Sequence, residues 1–224
     1  MKNIFTFLFV LLCSFTKAQP MVDTSYSSTY YEQKVTLHRL LPIPKSAIIF
    51  LGNSLTDIGE WAEIFNNKKV INRGISGDNT FGVLARLTDI VKAKPAKIFI
   101  MIGINDIARN TPDSIIILNY TTIINTILKG SPTTTLIIQS ILPTNNDFKE
   151  FARHQNKLKH ILFINEALQL FCKKNGIIYV DLFFHFKDNN GKLNKQYTND
   201  GLHINGQGYM LWKQVLVNQK LIKA

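Results

Sequence analysis

The sequence predicts a three-layer α/β domain in which helices cover both faces of a parallel sheet. Short apolar segments alternate with longer amphipathic ones, and this alternation is typical of βαβ units. The short segments are near-continuous in β-branched and aliphatic residues, as strands covered on both faces should be. The chain has 224 residues, 46% of them hydrophobic, which suffices for a single domain with a buried core.

Five strands and five helices are predicted. The strands are placed at residues 47–51, 69–72, 97–102, 135–142 and 177–182. The helices are placed at residues 55–66, 79–92, 112–129, 154–175 and 205–220. Pro112 and Asn205 are typical of helix starts, and Gly130 and Gly176 of helix stops.

The first 18 residues predict a secretory signal peptide. A mostly apolar stretch at residues 4–15 is followed by Thr16 and Ala18, which suit a cleavage site between small residues. The stretch is well short of the ~20 apolar residues that a membrane-spanning helix needs. We therefore expect one exported domain at residues 19–224, periplasmic or secreted, with no membrane span.

Charge and cysteine content narrow the class of protein further. The formal net charge is +11, but the basic residues are scattered singly or in pairs, which argues against a nucleic-acid-binding arm. A diffuse positive field suits either a solvated lysine-rich exterior or anionic substrates. Cys172 is the single cysteine after the predicted leader, so no intramolecular disulfide is expected. Residues 22–31 are expected to be a polar lead-in.

Small and polar residues follow four of the five predicted strands. In open parallel sheets the ligand crevice lies beyond the carboxyl ends of the strands, so these loops should converge on one rim. The loops are residues 52–57, 73–78, 103–106 and 200–203.

Ser54, Asp200 and His203 are the candidates for nucleophilic catalysis. Ser54 begins a helix directly after a strand, where the helix dipole favours an alkoxide or a bound anion; a serine here is also a common helix cap. The spacing of Asp200 and His203 lets the carboxylate accept the Nδ1 hydrogen while Nε2 faces a serine. A turn with a surface histidine is the alternative, and the lack of a nearby second histidine or cysteine argues against a metal site.

Gly77 and Asn105 are candidate donors to an oxyanion. A glycine lets its backbone N–H approach a substrate closely, and the asparagine amide can donate without carrying charge. Each residue is also common in turns. Their joint placement at strand ends beside Ser54 favours the catalytic interpretation.

Together these segments resemble the four sequence blocks of the SGNH, or GDSL, hydrolases. Residues 72–78 and 197–203 are especially similar to the exported bacterial branch related to sialate O-acetylesterases and to platelet-activating-factor acetylhydrolase catalytic subunits. The blocks, in chain order, are Gly52-Asn53-Ser54-Leu55, Gly77, Gly103-Ile104-Asn105-Asp106 and Asp200-Gly201-Leu202-His203.

The resemblance implies a flavodoxin-like α/β/α fold and no cofactor. It further implies Ser54 as nucleophile, His203 as base and Asp200 as its partner. The implied oxyanion hole consists of the Ser54 and Gly77 backbone amides and the Asn105 side chain.

One residue departs from the family pattern. Asn53 stands where the family usually has an aspartate. Because asparagine keeps the hydrogen bonds of that side chain while losing its charge, we expect the turn to form.

Two arginines lie close in sequence to the oxyanion donors and suggest a substrate. Arginine is the preferred bidentate partner of a carboxylate, so Arg73 and Arg109 are hypothesised to contact an acidic sugar such as an O-acetylated sialic acid. The alternative is that each pairs with a nearby aspartate of the chain. The aspartates in question are Asp57, Asp78 and Asp106.

The function expected from these residues is serine-dependent removal of acetyl groups from carbohydrate hydroxyls. A lysophospholipase or short-chain acyl esterase is the alternative among enzymes, and an exported carbohydrate-binding module without turnover is the alternative of another class. No pattern in the sequence indicates the oligomeric state. Four histidines without a motif partner are expected to be surface or satisfied core residues: His38, His154, His160 and His185.

Overall fold

The computed structural model describes residues 22–223 and has a single five-stranded sheet in that range. All strand pairs are parallel, which confirms the predicted fold class. The strands are β1 (Ile48–Gly52), β2 (Val70–Gly74), β3 (Lys97–Met101), β4 (Thr135–Gln139) and β5 (Ile178–Val180). The predicted signal peptide at residues 1–18 lies outside the described residues.

Helices connect the strands and cover both faces of the sheet. The helices are α1 (Thr29–Leu40), α2 (Ser54–Asp57), α3 (Trp61–Ile64), α4 (Thr80–Lys92), α5 (Ile104–Ala108), α6 (Asp113–Gly130), α7 (Leu158–Asn175), α8 (Leu182–Phe186) and α9 (Gly206–Asn218). Short 3₁₀ helices lie at Ala152–His154 and Lys195–Tyr197. None of the helices within residues 22–223 is long and apolar enough to cross a bilayer.

Two apolar clusters, one on each face of the sheet, form the core. Successive strand residues point to opposite faces: Ile49 and Leu51 pack with α4, α6 and α7, whereas Phe50 packs with α3, α8 and α9. The Phe50 ring stacks on Trp61 at 4.0 Å and on Phe99 at 4.8 Å between ring centroids. Burial on both faces explains why the strand sequences are continuously apolar.

Helix α1 was not expected from the sequence, which predicted a polar lead-in at residues 22–31. Only Tyr31 and Val35 of this helix are buried, so the apolar stripe that signals an amphipathic helix is thin. The Ser28 side chain accepts a hydrogen bond from the Tyr31 N–H and caps the helix.

The predicted helix at residues 55–66 is wrong, because the segment forms the two short helices α2 and α3. The Trp61 indole donates to the Thr56 carbonyl at 2.7 Å and folds the chain back. A Cβ at Gly59 would lie 2.6 Å from the Trp61 ring, so the turn between the two helices requires glycine.

Further boundaries differ from the prediction, among them that of β5, which spans only Ile178–Val180 because Leu182 begins α8. Strand β4 ends at Gln139 and not at residue 142, since the Ile141 backbone is paired instead with both ends of the Asn165 amide of α7. Helix α7 begins at Leu158 rather than at residue 154, because Ala152–His154 forms a separate 3₁₀ turn. The predicted start at Asn205 is confirmed by its bond to the Gly208 N–H, and the stop at Gly176 by its left-handed φ of 65°.

The strand order positions the site. The order is β2-β1-β3-β4-β5. The chain therefore runs from β1 to β2 on one side and then crosses to β3 on the other side of β1. Ligands of such sheets bind where the order reverses, beyond the carboxyl ends of the strands. The loops after β1, β2 and β3 meet there.

Candidate active site

Ser54 is the first residue of α2 and follows β1 directly. Asn53 precedes it, and the Asn53 side chain accepts a hydrogen bond from the Leu55 N–H at 3.1 Å. The turn therefore forms with asparagine at this position, as expected. Ser54 is largely buried, with 9% of its surface exposed.

His203 connects Ser54 to Asp200. The His203 Nε2 lies 3.0 Å from the Ser54 Oγ, and the His203 Nδ1 lies 2.8 Å from the Asp200 Oδ2. Because a carboxylate only accepts, Nδ1 carries the hydrogen of neutral His203 and Nε2 is free to accept from Ser54. This geometry suits transfer of the serine proton to the imidazole. The structure thus brings together the three residues predicted for nucleophilic catalysis.

The backbone around Asp200 fixes its carboxylate. The Asp200 Oδ1 accepts from the Leu202 N–H at 2.8 Å and from the His203 N–H at 2.7 Å. Partial burial acts to raise the pKa of Asp200, but these bonds and the His203 side chain outweigh it and lower the pKa below its ordinary value. The carboxylate is therefore ionised at neutral pH, where it can orient the imidazole.

Two of the predicted oxyanion donors, Gly77 and Asn105, lie close together. Gly77 has a left-handed φ of 79° and lines the same crevice as Asn105. Within residues 22–223, no acceptor bonds the N–H of Ser54 or of Gly77. The Asn105 Nδ2 donates to the Asp78 carbonyl at 2.8 Å, which leaves its second N–H for a ligand.

Buried ionic contacts hold the loop that carries Gly77. The Arg86 guanidinium bonds the Asp78 carboxylate at 2.8 and 2.9 Å, and also the carbonyls of Gly52 and Arg73. This one side chain thus joins the ends of β1 and β2 to the loop. Asp57 also holds this loop, because its Oδ2 accepts hydrogen bonds from both the N–H and the hydroxyl of Ser76.

Asp106 is a second buried carboxylate close to the donors. It accepts from the Thr80 N–H at 3.1 Å and from the Thr80 hydroxyl at 2.5 Å. Burial raises the pKa of Asp106 to about 6, against the lowering effect of the Thr80 bonds. Within residues 22–223, neither Arg73 nor Arg109 forms a salt bridge with the three aspartates considered as partners, which bond Lys34, Arg86 and Thr80 instead.

Arg73 does not reach the crevice. The side chain is 4% exposed, and its Nη1 donates to the Asn72 carbonyl. It lines a small pocket beside His38 and Arg86 that shares no residue with the crevice at Gly77 and Asn105. The expectation that Arg73 contacts an anionic substrate is therefore wrong, because its position in β2 turns the side chain inward.

Arg109, in contrast, is exposed and lines the crevice. The crevice has a volume of about 190 Å³, and Arg153 contributes a second guanidinium to its wall. The Arg109 Nη1 donates to the carbonyl and hydroxyl of Ser25 at 2.6 and 3.0 Å. No carboxylate lies among the lining residues, so the crevice is positively charged.

Sequence reasoning missed the loop between β4 and α7. His154 was expected to be a surface or satisfied core residue, but its Nε2 lies 2.9 Å from the Asn105 Oδ1. The Phe151 ring packs edge-on against the His203 ring, with 4.9 Å between centroids. Neither residue belongs to a motif, and their proximity depends on the path of a long connection, residues 140–157, that the sequence pattern does not specify.

In the part of the chain that the structure describes, no three or more His, Cys, Asp or Glu side chains form a group that could hold a metal ion. The fold and the serine-histidine-aspartate site are those of a serine hydrolase. A comparison with protein families makes this assignment specific: the model of the GDSL-like lipase/acylhydrolase family matches residues 50–211. The chain belongs to this family.

Individual proteins and structures similar to this chain have related descriptions. The human platelet-activating factor acetylhydrolase IB subunit alpha2 is 24% identical over 172 residues, covering 72% of this chain and 70% of the relative. A structure from Streptococcus pneumonia, provisionally described as a platelet activating factor, is 29% identical, covers 85% of this chain and 92% of its own, and has a TM-score of 0.78. A GDSL-like lipase from Bacteroides thetaiotaomicron is 25% identical, with 86% and 98% covered and a TM-score of 0.73.

Proposed function

We propose that the chain is an exported serine esterase that removes O-acetyl groups from carbohydrates. The observation that carries this proposal is the hydrogen-bonded series Ser54–His203–Asp200, at 3.0 and 2.8 Å. Export rests on the leader-like residues 1–18. No cofactor is needed for this chemistry, because the nucleophile, base and donors are all side chains or amides of the chain.

The first half of the reaction forms an acetyl-enzyme. The Ser54 Oγ attacks the acetyl carbonyl carbon while the His203 Nε2 takes the serine proton. The oxygen of the tetrahedral intermediate receives hydrogen bonds from the Ser54 and Gly77 amides and from the Asn105 side chain. The bond to the sugar oxygen then breaks, and the imidazolium returns its proton to that oxygen.

The second half releases acetate. A water molecule gives a proton to the His203 Nε2 and attacks the acetyl carbon, which again places negative charge on the carbonyl oxygen. The ester bond to Ser54 breaks, and the serine oxygen takes the proton back from His203. Asp200 stays ionised throughout and stabilises the imidazolium in both halves.

The substrate assigned to the crevice is an acidic sugar ester, such as an O-acetylated sialic acid. Arg109 and Arg153 supply two guanidinium groups beside Gly77 and Asn105, and guanidinium groups bind carboxylates in a bidentate manner. Ser25 occupies only the Nη1 of Arg109. Its other donors remain for a ligand.

An acetyl ester on an apolar carrier is the second candidate. The Phe151 ring is 43% exposed and touches the His203 ring, so an apolar alcohol could pack on it. The name of the human relative, a platelet-activating factor acetylhydrolase, favours the same acyl group on a different carrier. The two candidates share the serine chemistry and differ in the leaving alcohol.

The first test measures acetate release by the wild-type protein and by Ser54→Ala. O-acetylated sialic acid, p-nitrophenyl acetate and an acetylated phospholipid are compared, with the exposed Ser114→Ala as matched control. We expect the Ser54 variant to lose at least ~10³-fold in kcat on every accepted ester. Activity confined to the phospholipid would favour the second candidate, whereas an inactive wild type on all three would favour a carbohydrate-binding module.

The second test addresses the two arginines. Arg109→Ala and Arg153→Ala are assayed on O-acetylated sialic acid and on a neutral acetylated sugar, with the distant Arg39→Ala as control. We expect KM to rise ~10-fold or more on the anionic ester alone, because a charge-assisted bidentate contact contributes ~1.5–3 kcal/mol. Equal losses on both esters would contradict recognition of a carboxylate.

A further inference from the structure

His154 contacts the proposed oxyanion hole without belonging to the serine-histidine-aspartate series. It lies in the 3₁₀ turn Ala152–His154 of the connection between β4 and α7. Its Nε2 is 2.9 Å from the Asn105 Oδ1. Both residues line the crevice that Gly77 also lines.

The chemistry of the contact fixes the donor. An amide oxygen only accepts hydrogen bonds, so His154 donates from Nε2. At the other end of the same amide, the Asn105 Nδ2 donates to the Asp78 carbonyl at 2.8 Å. A flipped amide would place its oxygen against the Asp78 carbonyl oxygen, and that contact would be repulsive.

We propose that His154 is a positioning residue for the oxyanion hole, since its bond to the Asn105 oxygen holds the amide with its second N–H available to the oxyanion. This inference rests on the proposed function, in which the Asn105 amide stabilises the tetrahedral intermediate. His154 itself acts through Asn105 and transfers no proton.

Two hydrogen bonds hold the backbone of His154, whereas its ring Nδ1 is buried and has no partner within the described residues. Its backbone N–H donates to the Phe151 carbonyl at 2.8 Å, and its carbonyl accepts from the Thr144 hydroxyl at 3.0 Å. Burial, together with the positive charges nearby, lowers the pKa of His154. The ring is therefore neutral near pH 7, with its single hydrogen on Nε2.

The same connection also holds the opposite side of the site. The Asn145 N–H donates to the Gly201 carbonyl at 2.8 Å, inside the loop that carries Asp200 and His203. Phe151 packs on the His203 ring. The β4–α7 connection therefore contacts both the base and the oxyanion donor, and His154 is its polar contact to the donor.

The test uses the geometry of the two ring nitrogens. The amide nitrogen of glutamine lies about where the histidine Nε2 lies, and that of asparagine about where Nδ1 lies, so His154→Gln can donate to Asn105 and His154→Asn cannot. With p-nitrophenyl acetate we expect kcat to fall ~10-fold in His154→Asn and in His154→Ala. This loss is part of the ~10²–10³-fold cost of removing an oxyanion donor. In His154→Gln we expect kcat within ~3-fold of wild type, and KM should change little in all three.

A double-variant experiment separates positioning from a merely structural role. In an Asn105→Ala background, His154→Asn should lower kcat by less than ~2-fold, because the amide that it orients is absent. Independent ~10-fold losses, a glutamine variant no better than the asparagine variant, or a change confined to KM would each overturn the proposal. If Ser54→Ala retained full activity, the proposed function itself would fail, which is a separate outcome.

Discussion

Gly201 shows how tightly single residues constrain the site. It lies between Asp200 and His203 with a φ of 80°, and a Cβ there would be 2.4 Å from the Asn145 carbonyl oxygen. Alanine at this position carries both the left-handed strain of ~1–2 kcal/mol and a backbone clash. The loop would have to move, and His203 would move with it.

We therefore expect Gly201→Ala to lower kcat more than ~10-fold, since misplacement of a catalytic group by about 1 Å costs up to ~10²-fold. The measurement is acetate release, with urea unfolding alongside. Gly176→Ala is the matched control, because Gly176 has a φ of 65° and nothing within 4 Å of the added Cβ. The control should lose stability of ~1–2 kcal/mol and keep its kcat; equal kcat losses in both variants would contradict the steric argument.

Residues that follow strands could be predicted, and residues within long connections could not. Ser54, Gly77 and Asn105 each follow a strand, so the parallel sheet alone brings them to one edge. The prediction for Arg73 failed because this residue still lies within β2, where its side chain points into the molecule rather than to the rim. The contact of His154 with Asn105 had no signal in the sequence, because no periodic pattern specifies how the β4–α7 connection folds back.

At the scale of elements, Asp57 joins α1 to the oxyanion loop. The Asp57 carboxylate bonds the Lys34 ammonium at 2.6 Å and the Tyr30 hydroxyl at 2.7 Å, both from α1, and its other bonds are to Ser76. Helix α1 therefore reaches Gly77 through one carboxylate. Polar contacts, and not only the few buried apolar residues of α1, therefore attach this helix to the domain.

We expect Asp57→Asn to destabilise the protein by ~2 kcal/mol at pH 7, because the variant turns an amide NH₂ toward Lys34. Burial acts to raise the pKa of Asp57, but the bonds from Lys34, Tyr30 and Ser76 prevail and lower it below the ordinary 3.8. The stability from ionised Asp57 is thus present above that value and is lost as the pH falls through the lower native pKa.

Urea unfolding at several pH values checks this expectation. The difference between wild type and Asp57→Asn should be full at pH 6 and should shrink below pH ~4. Glu63→Gln, an exposed acid of α3, is the control and should change stability by less than ~0.5 kcal/mol. A difference that is constant with pH would show that the carboxylate charge is not responsible.

Element boundaries were predictable where local residues determine them. Asn205 and Gly176 specify a helix start and a helix stop through their own hydrogen bonds and backbone angle. The break between α2 and α3 depends instead on the Trp61 indole reaching the Thr56 carbonyl. Such a contact is tertiary in character even over five residues, and hydrophobic periodicity alone did not reveal it.

At the scale of the whole molecule, we expect the free energy of unfolding to depend on pH through the protonation of His38. His38 is half-buried beside Arg73 and Arg86, and burial together with these two cations lowers its pKa to about 3. In the unfolded chain the ordinary value is 6.5. The unfolded state therefore takes up a proton between these two values that the native state does not, and stability falls as the pH falls from 6.5.

The contribution of His38 is at most ~1.4 kcal/mol per pH unit. We expect His38→Gln to remove this loss of stability. Between pH 6.5 and pH 4 the free energy of unfolding, measured with urea, should therefore fall less in the variant than in the wild type. His185→Gln, which changes an exposed histidine, is the control substitution. Parallel curves for His38→Gln and the wild type would contradict the assignment.

The architecture was predictable from residue patterns, but the order of the strands was not. Apolar continuity indicated the number and the parallel direction of the strands, because both faces of each strand had to be buried. No local pattern specifies which strands become neighbours. The order β2-β1-β3-β4-β5 agrees with the flavodoxin-like fold that the family resemblance implies.

The hydrogen bond between Ser54 and His203 joins residues 149 positions apart. The nucleophile lies in the first strand-to-helix turn, and its base precedes the last helix, so no contiguous half of the chain contains both. Turnover therefore requires both ends of the domain to be folded. A local opening that detaches α9 and the preceding His203 would leave Ser54 without its base, even if most of the sheet remained intact. An activity assay run during refolding would therefore report when the His203 loop docks beside Ser54 and not when the strands form.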